Sequence, residues 1–93
     1  MRLELKRALG TSVRSYRLLR DLPQEGLGPS QPYISNLEAG RGSASLEKIE
    51  QMAEVLGIHS ISLIAAAYIT STEGLSAEDL LDQIRTELKV IGL

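Results

Sequence analysis

Apolar residues return at three- and four-residue intervals along most of this chain, and the rhythm breaks only where glycine, proline and serine gather. Such spacing places side chains on one face of an α-helix. Leu5, Leu9, Val13, Tyr16 and Leu19, with arginines between them, predict a first helix from Leu3 to about Leu22, where Pro23 ends it or starts the next. Gln24 to Pro29 holds two glycines and a closing proline around one apolar residue, Leu27, and permits only a short, strained helical turn. Ile34 and Leu37 then share a face, while Gln31, Pro32, Ser35 and Asn36 project away from it. Ser30 as N-cap, Pro32 in the first turn and Gly40 at the left-handed stop position bound this helix at about residues 31–39.

Ser45 can cap a further helix with an apolar stripe of Leu46, Ile49, Met52, Ala53 and Leu56, stopped by Gly57. Ile61, Leu63, Ile64, Ala65, Ala67, Tyr68 and Ile69 predict a helix too apolar all round to lie on a monomer surface. Beyond a linker from Thr70 to Gly74, Ser76 and Asp79 make an approximate capping box. Leu80, Leu81, Ile84, Leu88 and Ile91 form the stripe of a terminal amphipathic helix. The pattern gives five or six short helices and no repeat. It divides into a helical domain over 1–70 and a linker plus C-terminal helix over 71–93.

Ninety-three residues with 43% hydrophobic content support one modest core and leave no room for a separate catalytic domain. Three tyrosines are the only aromatics, too few for a platform that stacks single-stranded bases. The absence of cysteine removes disulfides, thiolate catalysis and cysteine zinc sites. No N-terminal stretch resembles a signal peptide, and the run Ile61 to Ile69, broken by Ser62, is far short of the ~20 residues a membrane span needs. A cytoplasmic protein of bacterial or phage type fits. The sole histidine, His59, sits in a turn without a clustered carboxylate set, and no phosphate-binding glycine loop or metal-ligand spacing occurs. No enzyme, cofactor or metal is implied.

Net charge is −2, and its distribution says more than its sum. Residues 1–42 carry seven basic groups (Arg2, Lys6, Arg7, Arg14, Arg17, Arg20, Arg41) against four acidic, +3; residues 43–93 carry three against eight, −5. The basic half suits phosphate, and the acidic half suits solvent or a partner. Within the basic half lies the helix over 31–39. Its outward Gln31 and Asn36 are residue types that bond adenine N6 and N7 bidentately in the major groove, at about 1–3 kcal/mol of discrimination per good pair.

Leu9-Gly10, Val13-Arg14, Arg17 and Leu22-Pro23-Gln24, followed by Tyr33-Ile34-Ser35-Asn36-Leu37-Glu38-Ala39-Gly40-Arg41 and by Ser45-Leu46-Glu47 through Leu56-Gly57, resemble the Xre/Cro/repressor helix-turn-helix family over about residues 9–65. The resemblance implies an all-α, five-helix lambda-repressor-like domain with an additional C-terminal amphipathic helix. It implies base contacts from Gln31, Pro32 and Asn36, with Tyr33 or Ser35 at the groove edge. Phosphate contacts would come from Gln24, Ser30, Arg41 and Ser43. Arg17 and Glu38 would form a structural clamp that holds the reading helix at its angle. One departure stands out: the second helix is clipped by about a turn, with Gly28-Pro29 where it normally continues.

The resulting expectation is a transcriptional regulator that binds double-stranded DNA as a homodimer. Leu80, Leu81, Ile84, Leu88 and Ile91 are the candidate dimer surface, with Ile61, Ile64 and Tyr68 beneath, unless that helix folds back on its own domain. The alternative is a protein-interaction module, an antitoxin or anti-activator built on a degenerate helix-turn-helix, that binds a second regulatory protein.

Overall fold

A computed structural model describes residues 3–93; Arg2, counted in the basic half, lies outside the described residues. Five α-helices follow one another: α1 (Leu3–Leu19), α2 (Gln31–Glu38), α3 (Leu46–Leu56), α4 (Ser60–Ser71) and α5 (Ala77–Val90). A single 3-10 turn, Gln24–Leu27, precedes α2. Among the described residues there is no strand, and no single helix is long and apolar enough to cross a membrane.

The first helix closes earlier than its apolar spacing predicts. Asp21 takes a left-handed φ of 55°, its N–H donates to the Leu18 carbonyl at 3.1 Å, and the Leu22 N–H donates to the Arg17 carbonyl at 3.1 Å. This is a glycine-type helix stop built on aspartate, whose short polar side chain tolerates that conformation. The stop swings Leu22 inward against the core, whereas Leu19, expected on the buried face, is 70% exposed.

The core draws on every element before α5. Val13 of α1, Leu27 of the 3-10 turn, Ile34 and Leu37 of α2, Met52 and Leu56 of α3 and Leu63 of α4 are all fully buried. Burying one Leu or Ile contributes about 1.5–3 kcal/mol, against about 1 kcal/mol for a hydrogen bond such as that from the Gly26 N–H to the Pro23 carbonyl (3.0 Å). Leu27 therefore anchors the clipped second helix more firmly than its backbone bonding does. Leu46, expected on the α3 stripe, is 77% exposed, because at the first position of α3 it lies at the rim and the buried face begins at Ile49.

Two buried features fix α1 against its neighbours. The Ser12 hydroxyl donates to the Leu63 carbonyl at 3.1 Å, tying α1 to α4 inside the core. Gly10 lets the α1 and α2 backbones touch: a Cβ there would press on the Leu37 carbonyl oxygen and lie 3.1 Å from Glu38 Cα. Where α3 ends, the Arg20 Nε–H donates to the Leu56 carbonyl at 3.1 Å, a cation placed where the helix dipole is negative.

The fourth helix buries Leu63 and Ala67 but leaves Ile61 and Tyr68 exposed, so only one face of this apolar segment is covered. The last helix begins at a Ser76 cap that accepts the Asp79 N–H at 3.0 Å, and it rests mainly on α4. None of its residues is buried. Leu80 and Ile84 approach Ile61, Ile64, Ala65 and Tyr68 across a cleft of about 240 Å³, and Leu80 and Leu81 line a second cleft with Tyr16 of α1 and Ile69 of α4, while Leu88 and Ile91 face outward.

Candidate nucleic-acid interface

The polar face of α2 is organised from its two ends. At the start, the Ser30 hydroxyl accepts the Tyr33 N–H at 3.3 Å and Pro32 occupies the first turn, where no N–H is needed. At the end, Gly40 adopts φ 77°, its N–H donates to the Leu37 carbonyl at 3.0 Å, and the Arg41 N–H donates to the Asn36 carbonyl at 2.9 Å. Those paired bonds define a Schellman stop, which only a residue tolerant of positive φ completes without strain. With Ile34 and Leu37 buried beneath, Gln31, Pro32 and Asn36 stand exposed on one side.

The angle of this helix is set by a chain of hydrogen bonds. Arg17 meets Glu38 through two parallel bonds, Nε to Oε2 at 2.7 Å and Nη2 to Oε1 at 2.9 Å, with side-chain exposures of 10% and 5%. Its Nη1 also donates to the Leu22 carbonyl at 2.8 Å. The hydrogen bond to Glu38 raises the guanidinium pKa above its ordinary value, so the cation is permanent. Such forked pairs fix orientation as well as charge. Gln24 Nε2 donates to Glu38 Oε1 at 3.1 Å, and Gln31 Nε2 donates to Gln24 Oε1 at 2.7 Å. The chain thus runs from a buried arginine out to an exposed amide on α2. Gln24, expected from the resemblance to face phosphate, has its amide engaged on both sides within the protein.

Other expected residues have intramolecular partners too. Asn36 Oδ1 accepts Arg41 Nε–H at 3.3 Å and Arg41 Nη2–H at 3.2 Å. The Tyr33 hydroxyl donates to the Ser43 carbonyl at 3.4 Å, and Lys48 Nζ lies 5.7 Å from the Tyr33 ring centroid. Partial burial pushes the Tyr33 phenol up, so it remains a protonated donor at neutral pH. Ser35 is half-buried beside these groups. The arrangement brings Gln24, Ser30, Gln31, Pro32, Tyr33, Asn36, Arg41 and Ser43 to the two ends and the open side of α2.

Sequence spacing missed three of these links: the Gln31–Gln24–Glu38 chain, the Asn36–Arg41 pair and the close approach at Gly10. A glycine inside a helical pattern was the one local signal for the last of these. The others join residues that the turn brings together, and periodicity carries no record of that.

A family model described as helix-turn-helix, HTH_3, matches residues 13–63, more than half of the chain. The chain belongs to the HTH_3 family. This is the Xre/lambda-repressor type of helix-turn-helix, and the all-helical architecture agrees with it. No curated protein and no solved structure matches the chain. The matched span runs from the middle of α1 into α4 and contains the 3-10 turn and all of α2. The HTH_3 domain makes the protein a DNA-binding helix-turn-helix regulator.

Its lone histidine has a structural position within that domain. His59 Nδ1 accepts the Ile61 N–H at 3.0 Å and caps α4. Among the described residues, no group of three His, Cys, Asp or Glu side chains is placed to hold a metal.

Proposed function

We propose that the protein regulates transcription by reading a specific double-stranded DNA sequence as a homodimer, with α2 in the major groove of each half-site. The observation that carries this reading is the exposed polar face of α2, held at a fixed angle by the Arg17–Glu38 pair. Gln31, Pro32 and Asn36 are the base-facing residues, with Tyr33 and Ser35 at the groove edge. Pro32 offers an apolar surface suited to a thymine methyl. Ser30, Arg41, Ser43 and the region of Gln24 approach the phosphates on either side.

Few base contacts per domain give weak binding, so two linked domains are needed for useful affinity. The apolar stripe of α5 supplies a surface for that pairing: Leu81, Leu88 and Ile91 are exposed, with Leu80 and Ile84 packed on α4 beneath them. Half-sites would then lie about one helical turn, ~34–36 Å, apart.

The experiment is fluorescence anisotropy against fragments of genomic DNA and the gene's own upstream region, over a salt series, for the native chain and a Gln31→Ala/Asn36→Ala variant. Preferred fragments, binding that weakens steeply with salt, and loss of preference in the variant support the reading. A folded protein that binds no fragment above the non-specific level refutes it. The clipped second helix, a single 3-10 turn, favours that second outcome's meaning: a helix-turn-helix that docks on another regulatory protein.

A further inference from the structure

We propose that Asn36 and Arg41 act as one reading unit that presents only hydrogen-bond donors, and that this unit selects guanine over adenine. The inference rests on the DNA-reading role of α2 proposed above, specifies which base one of its positions takes, and turns Arg41 from the phosphate to the base edge.

The pairing begins in the backbone. The stop at Gly40 folds the chain back so that the Arg41 N–H donates to the Asn36 carbonyl, which brings the two side chains together at the exposed end of α2. In stops of this kind a hydrophobic contact usually joins the corresponding residues. Here a polar contact takes its place.

Arginine has only donors, so the Asn36 atom that faces it must be the amide oxygen. That oxygen receives two N–H groups, from Nε at 3.3 Å and Nη2 at 3.2 Å, and a carbonyl oxygen has two lone pairs. Its accepting capacity is used. What remains outward is the Asn36 NH₂ and the unused N–H groups of Arg41, every one a donor. The backbone stop sets the two side chains next to each other before any ligand arrives.

Adenine offers the major groove one acceptor, N7, and one donor, the N6 amino group; guanine offers two acceptors, N7 and O6. A free asparagine matches adenine because its oxygen takes the N6 hydrogen. With the oxygen already occupied, that match is lost, and the donor-only pair fits guanine instead. Arg41 therefore sets specificity in part by what it does to Asn36.

The test is selection of bound duplexes from a randomised library by the full chain, followed by anisotropy titrations on the selected site. The Asn36 position is the base pair whose preference disappears in Asn36→Ala. The native chain is expected to hold guanine there by about tenfold or more over adenine. Arg41→Ala frees the oxygen and is expected to move the preference at that base pair toward adenine. Arg41→Lys keeps the charge but cannot reproduce the forked contact, and is expected to lower the guanine preference while retaining more affinity than Arg41→Ala. Both residues are exposed, so melting curves should match the native chain.

Adenine at that position in the native selection overturns the proposal. So does a uniform loss of affinity in Arg41→Ala with unchanged base preference and a salt slope reduced by about one, the signature of a phosphate contact alone. Enrichment of no sequence by the folded native chain refutes the DNA-reading role itself, and the proposal with it.

Discussion

Replacing Gly10 with alanine separates two opposing effects whose signs differ. In the interior of an exposed helix, Gly→Ala stabilises by about 1 kcal/mol, because alanine loses less backbone entropy. Gly10 lies inside α1, so propensity alone predicts a more stable protein. The packing says the reverse. The new Cβ would press on the Leu37 carbonyl oxygen and sit 3.1 Å from Glu38 Cα, both backbone atoms that no rotamer change can move. Restoring ordinary carbon contact at about 3.5 Å or more requires α2 to retreat from α1 by on the order of 1 Å. Overpacking of a well-filled core costs about 1–3 kcal/mol, and a backbone obstacle lies at the upper end. Subtracting the propensity gain leaves a net loss of about 2 kcal/mol. For a domain of this size each kcal/mol moves the melting temperature by about 4–8 °C, so Gly10→Ala should melt about 8–16 °C below the native chain. Thermal unfolding followed by circular dichroism at 222 nm measures it. A melting temperature equal to or above the native value would refute the close approach of α1 and α2.

Two further changes probe other parts of the molecule. Glu38→Ala leaves the Arg17 guanidinium buried with only the Leu22 carbonyl and strands the Gln24 amide; a loss of about 3–5 kcal/mol in urea unfolding is expected, partly recovered by adding Arg17→Met. A loss under about 1 kcal/mol would mean that water reaches the pair freely. Leu88→Asp puts a charge on the outward part of the proposed α5 seam and should yield a monomer by sedimentation equilibrium at concentrations where the native chain is a dimer; an unchanged dimer mass would eliminate that surface.

The helix positions were legible because their signals are local. Ser30, Ser45 and Ser76 accept the backbone N–H groups that their place before an apolar run predicts, and Gly40 and Gly57 take the left-handed stops. Leu19 and Leu46 were misread because a helical stripe does not say where the core ends. At Leu19 an aspartate stop changes the chain direction, and at Leu46 the helix has only begun. The candidate site was legible as a set of residue types on one face. Its internal bonding was not, since the links from Gln31 to Gln24 and from Gln24 to Glu38 depend on how a four-residue turn folds. The Arg17–Glu38 pair was expected only through family resemblance; spacing alone gives no reason to join charges that far apart in the chain.

The lack of any buried residue in α5 also sets how long its amide hydrogens survive in deuterated water. A helix of 14 residues is marginal by itself, and most helical stability comes from packing an apolar face. With Leu80 and Ile84 only half-covered and Leu81 half-exposed at the edge of a second cleft, the free energy that opens α5 falls far below that of global unfolding. Its amides exchange through local opening while those of α1 and α3 wait for the whole domain to unfold. A second chain covering the stripe would slow the first group and leave the second unchanged, so exchange rates in α5 become a readout of protein concentration.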